Sequence, residues 1–154
     1  MALAFERMLM PAARQPEPPP PDRPESRLGI TVVFTSTEHT THALRKAAAL
    51  ATRLSAQITL VVPQVVPYPL PLSSPPVLLD FNERRLSAIA AECPVETTVR
   101  LYLCRDPLET LRSVLLPRSL IVIGAKKHWW PTREKQLARM LRRAGHEVLL
   151  EEAD

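Results

Sequence analysis

Apolar positions along the chain fall into short β-branched runs that alternate with stretches spaced at three and four residues. The run at 30–34 (Ile-Thr-Val-Val-Phe) predicts a first strand, and Thr35 to Thr41 a polar turn. Ala43, Leu44, Ala47, Ala48, Ala51 and Leu54 then mark one face of a helix, whose alanines suit close packing on a sheet. A second strand is predicted at 57–62. From Pro63 to Pro76 six prolines are expected to break regular structure and leave a long apolar loop. A helix resumes at 79–92, with Asp80 and Glu83 as a capping box and Phe81, Leu86, Ile89 and Ala90 as its buried stripe.

Residues 95–104 alternate with a period of two, Val95, Val99, Leu101 and Leu103 against Glu96, Thr98, Arg100 and Tyr102. This suggests a strand with one face partly solvated, as on a sheet edge. Asp106-Pro107-Leu108-Glu109 is a helix start, with Asp as N-cap and Pro at the first position, and this helix ends before Pro117. A strand at 120–123, a helix over roughly 132–144 closed by Gly145, and a final strand at 146–151 complete the pattern. Strict β-α alternation with short connections predicts an α/β fold: a five-stranded parallel doubly wound sheet, order 3-2-1-4-5, with helices on both faces. The winding reverses between the first and fourth strands, and ligands bind at such a reversal.

Composition narrows the picture. The chain has 154 residues, enough for one domain with one core. Seven of its 17 prolines fall between Pro11 and Pro24 among charged residues, so residues 1–27 are expected to form a disordered proline-rich leader, with at most a turn or two over residues 1–13. The domain is expected to occupy 28–154. Two cysteines, Cys93 and Cys104, exclude a disulfide framework and suggest a reducing compartment. Neither a secretory signal nor a membrane span is legible, so a cytoplasmic location without membrane attachment is expected. A net charge of +4 is mildly basic, well short of a protein that coats nucleic acid.

The stretch 119–141 bears most on function. A β-branched run ends at Gly124, and the basic, bulky loop Ala125-Lys126-Lys127-His128-Trp129-Trp130-Pro131 leads into a helix. α/β proteins build phosphate sites on a strand, a glycine loop and a helix N-terminus. Here the loop holds one glycine. The crevice residues are Thr35, Ser36 and Thr37 after the first strand, and Gly124, Ala125, Lys126 and Lys127 after the fourth.

Three features resemble the universal stress protein family across nearly all of residues 28–152. They are the first βαβ unit from Ile30 to Leu60, the Asp106-Pro107 helix start, and Ser119-Leu-Ile-Val-Ile-Gly124 with the closing Glu147-Val-Leu-Leu150. ATP-binding members of that family have an acidic residue after the first strand and a G-x-x-G loop after the fourth, with Gly-Ser/Thr further on. The acidic position aligns with Thr35, the second glycine with Lys127, and the Gly-Ser pair approximately with Glu134-Lys135. Lysine and tryptophan do not allow the close backbone approach that glycine gives a phosphate, and Glu134 in the first helical turn repels one.

The resemblance therefore implies a non-catalytic domain acting through protein association, with ATP binding lost and no cofactor. A homodimer through the last strand, Glu147 to Glu151, is expected, together with a protein partner that the sequence does not identify. The alternative is a nucleotide or small-anion sensor at the switch point, with ATP as the first candidate. A second alternative is an RNA-associated protein using the basic last helix. Adjacent Trp129 and Trp130 are expected to pack over a core edge or a subunit contact rather than to stack on a base. His39 and His42 share a helix face without a further placed ligand, and no nucleophile or acid-base constellation is present, so no catalysis and no metal are expected.

Overall fold

A computed structural model of the chain describes residues 4–9, 28–68, 70, 79–116 and 119–153. Its strands are β1 (Ala4–Leu9), β2 (Gly29–Val33), β3 (Gln57–Val65), β4 (Thr97–Cys104), β5 (Leu120–Lys126) and β6 (Glu147–Ala153). Between them lie helices α1 (Thr37–Leu54), α2 (Leu79–Ala91), α3 (Pro107–Val114) and α4 (Arg133–Arg143). The strands form one parallel sheet in the order β1-β4-β3-β2-β5-β6. The five strands from β2 onward reproduce the expected order 3-2-1-4-5.

β1 corrects the expectation of a disordered leader. Residues 4–9 pair in parallel register with β4, Ala4 opposite Thr98 and Leu9 opposite Leu103. The unpaired N–H and C=O groups of β4 are a template for a further strand, and β1 takes it. β4 is consequently an interior strand, not the edge that its alternation suggested. The proline-rich remainder of the leader, 10–27, lies outside the described residues.

The sheet carries a core on each face, because in a parallel sheet the strands are covered on both sides. Ile30, Val32, Ile58, Leu60, Val99 and Leu101 pack with the alanine face of α1 and with Leu86, Ile89 and Ala90 of α2. On the opposite face Val33, Val61, Tyr102, Ile121 and Ile123 pack with Leu111 of α3 and with Ala138 and Leu141 of α4. Leu54 belongs to the predicted α1 stripe but is exposed at the helix end. The α2 stripe is also shifted. Phe81 is exposed, and Asn82 is buried instead, its Nδ2 donating to Gln64 Oε1 at 2.7 Å. The predicted cap at Asp80 lies outside the described side chains.

Pro63 was expected to end its strand, yet β3 continues to Val65 with Pro63 opposite Tyr102. The geometry explains the tolerance. Phe34 N–H donates to Val61 O, so alternate residues from 61 onward turn their backbone polar groups toward β2. The ladder with β2 stops at Val33, and proline's missing donor at 63 points to that side, so no bond between β3 and β4 is lost. Of the predicted loop, residues 69 and 71–76 lie outside the described residues. Val66 is buried, and Arg105 fixes this segment by donating to Val66 O at 2.7 Å and stacking on Tyr68 at 4.1 Å.

Helix termini follow their sequence signals. Asp106 accepts from Leu108 and Glu109 N–H at the start of α3, with Pro107 at the first position. Thr132 caps α4, and Gly145 follows it at φ +96°, in the left-handed region that glycine adopts without strain.

Candidate functional site

The switch point lies where β2 and β5, paired from Ile30–Leu120 to Val33–Ile123, run out side by side. Ser36 turns inward on its own helix as the N-cap of α1, its Oγ accepting from His39 N–H at 3.2 Å. Thr35 N–H donates to Thr40 Oγ1, and Thr35 Oγ1 donates to Gly124 O at 2.9 Å, tying the two strand ends together. Gly124 is required by contact. A Cβ built there would lie 1.9 Å from His39 O, so the first turn of α1 rests directly on the β5 backbone.

Of the seven predicted crevice residues, Thr35 and Gly124 meet. Ser36 is occupied with its cap, and Thr37 is exposed. Ala125 and Lys126 were expected in a loop but belong to β5, where Gly124, Ala125 and Lys126 pair with Glu151, Glu152 and Ala153. Ala125 is fully buried, whereas the Lys126 and Lys127 side chains are exposed. The Lys127 amide donates to Ala153 O. The strand persists because β6 runs to Ala153, two residues beyond the predicted end, and keeps offering it backbone partners.

At the start of α4, Thr132 Oγ1 accepts from Lys135 N–H at 3.3 Å. The Lys135 ammonium donates to His128 O and pairs with Glu152 at 3.6 Å. These bonds pin the loop between β5 and α4. The His128 ring stacks on Trp130 with centroids 5.1 Å apart and planes within 13°, while Trp129 sits at 59° to Trp130. Trp129 is 89% exposed and Trp130 50%, so within this chain neither closes over the core edge; of the two roles expected for them, only the subunit contact is compatible with this exposure.

A second concave feature lies on the α3–α4 face, an open groove of about 370 Å³ lined by Arg112, Gln136, Arg139, Met140, Arg143 and Ala144. The basic residues of α4 were singled out from sequence; Arg112, supplied by α3, was missed. Its signal was topological, since the expected winding already put the third and fourth helices on one face.

Other candidates are structural. His39 and His42 have no third His, Cys, Asp or Glu at ligating distance among the described residues. Cys93 and Cys104 are both buried. Burial pushes the Cys104 thiol up from its ordinary 9.0, a hydrogen bond with Thr110 opposes this, and the Asp106 carboxylate adds to it. Among the described residues no helix is long and apolar enough to cross a membrane.

No protein-family sequence model matches the chain, and no curated protein matches it significantly. Solved structures do match. A universal stress protein family member from Burkholderia pseudomallei is 28% identical with a TM-score of 0.55, covering 81% of this chain and 96% of that one. A universal stress protein from Archaeoglobus fulgidus is 17% identical with a TM-score of 0.57, covering 80% and 92%. A universal stress protein from Archaeoglobus fulgidus in complex with dAMP is 16% identical with a TM-score of 0.54, covering 80% and 96%. With five of its strands in the expected winding and these structures as neighbours, the chain has the UspA-like fold of the universal stress protein family.

Proposed function

We propose that this domain acts through association rather than catalysis, and that it has lost nucleotide binding at the switch point. One observation carries the reading: β5 stays paired with β6 through Lys126, where a phosphate loop would have to leave the sheet. A phosphate site there needs free backbone amides and a helix N-terminus without a carboxylate. Instead the Lys127 amide is bonded to Ala153 O, the Lys135 amide is capped by Thr132, and Glu134 occupies the first turn of α4. The Thr35–Gly124 bond and the His39 backbone against Gly124 fill the rest.

Association is assigned to β6. Glu147 N–H donates to Ser119 O and Ala153 O accepts from Lys127, so odd-numbered residues of β6 face β5. The backbone groups of Val148, Leu150 and Glu152 face outward. An isologous antiparallel pairing centred on Leu150 would use them, with Leu149, 36% exposed, adding apolar contact. Arg142 Nη2 donates to Val148 O at 3.0 Å and must yield for the full ladder to form.

Two measurements test the reading. Light scattering at micromolar concentration is expected to give a dimer that Leu150→Pro returns to monomer; a wild-type monomer removes the β6 assignment. Calorimetric titration with Mg-ATP, AMP and dAMP is expected to release no heat of binding. dAMP belongs in the series because one solved structure of this fold was captured with it. Saturable binding would favour the alternative, a nucleotide sensor at Thr35–Thr37 and Gly124–Lys127.

A further inference from the structure

The loop before α4 combines two features that the association reading leaves unused, an almost fully exposed tryptophan and a run of cations. Trp129 is 89% exposed on a loop that is held, not loose: Lys135 bonds His128 O and pairs with Glu152, while His128 stacks on Trp130. From this loop Arg133, Gln136, Arg139 and Arg143 follow on one face of α4 at steps of three and four residues, a stripe about 15 Å long. Arg112 of α3 faces it across the groove. Of the nearby carboxylates, Glu152 is engaged by Lys135 and Glu134 sits on the neighbouring face; Glu109, one turn before Arg112 on α3, offsets part of that one charge and leaves those of Arg133, Arg139 and Arg143.

We propose that this surface binds single-stranded nucleic acid, with Trp129 as the platform for a base and Arg112, Arg139 and Arg143 as contacts for successive phosphates. Single-strand binders combine a positive groove that follows the backbone with aromatic rings on which bases stack. The competing occupants fit less well. An isologous contact between two copies through this loop brings Lys126 and Arg133 toward their own counterparts, a like-charge arrangement that opposes association. A bilayer surface engages residues lying in one plane, whereas these arginines line a concavity that an extended strand enters and a plane does not. The proposal goes beyond the β6 assignment and stands or falls separately from it.

The test uses the full chain with fluorescein-labelled oligouridylate and oligodeoxythymidylate, titrated at several salt concentrations. Wild-type protein is expected to bind, to quench its tryptophan fluorescence on binding, and to weaken with salt at a log–log slope of about −2, as for three phosphate contacts. Trp129→Ala is expected to lower affinity roughly tenfold and leave the slope unchanged. Arg139→Ala/Arg143→Ala, which removes two of the three phosphate contacts, is expected to flatten the slope by about 1.4 units. No binding at low salt overturns the proposal, as does an unchanged affinity in Trp129→Ala. Binding to phosphatidylserine vesicles in place of oligonucleotides also overturns it, and so does a change of particle size in Trp129→Ala without a change in oligonucleotide affinity.

Discussion

Gly124 and Trp129 are five residues apart and lie in opposite environments. At Gly124 the backbone of α1 lies so close that a single methyl group has no room, and Thr35 bonds the carbonyl. At Trp129 the largest side chain of the set stands in solvent. The contrast teaches how differently two adjoining stretches are held: β5 runs on past Gly124 to Lys126 beneath the backbone of α1, and the loop that follows carries its aromatic and cationic groups exposed.

The largest effect is expected at the closed end. Gly124→Ala places a methyl group against the His39 carbonyl, and because backbone must move, a loss of about 3 kcal/mol or more is expected in urea unfolding. A near-neutral result would mean that α1 and β5 are not in contact as described. Thr35→Val keeps the shape and removes the bond to Gly124 O, so about 1 kcal/mol is expected by the same assay. Asp106→Ala, which uncaps α3 at the same end of the sheet, is also expected to cost about 1 kcal/mol.

Cys104 offers a pH handle on the closed end. Its thiol is raised by burial, so the neutral form is the one the folded state favours. Its contribution is full below the ordinary value of 9.0 and is lost as pH rises from there toward the folded-state value. Wild-type stability is therefore expected to fall above pH 9.0 more steeply than that of Cys104→Ala, with a constant difference between them at neutral pH. The smallest effect is expected at the open loop, where Trp129→Ala should change stability by less than about 0.5 kcal/mol. A larger loss would show that the ring packs in solution.

Much of the fold was legible because its signals are local and repeated. The alanine face of α1, the Asp106-Pro107 start of α3 and the Gly145 stop of α4 all act within a turn of their own backbone, and the structure places each where the pattern did. What failed was decided by neighbours. Pro63 sits in a strand because its missing donor points away from β4, and β4 is interior because residues 4–9 pair with it. Neither fact is written at position 63 or 97. Asn82 replaced Phe81 in the core because Gln64, 18 positions earlier, supplies its hydrogen bond.

The candidate site was half legible. Gly124 and Thr35 were marked as the switch point, and they are in direct contact. That Ala125 and Lys126 continue a strand depended on β6 running to Ala153, which a short apolar run followed by Glu151-Glu152 does not announce. The exposure of Trp129 is likewise a tertiary outcome, since adjacent tryptophans are more often covered.

The central claim, that the crevice is closed to nucleotide, is tested most directly by extracting freshly purified protein with acid and analysing the extract for nucleotides. The account expects no stoichiometric adenine nucleotide, and no uptake when the same protein is incubated with Mg-ATP and desalted. A nucleotide retained at one per chain, or taken up from Mg-ATP and kept through desalting, would contradict it.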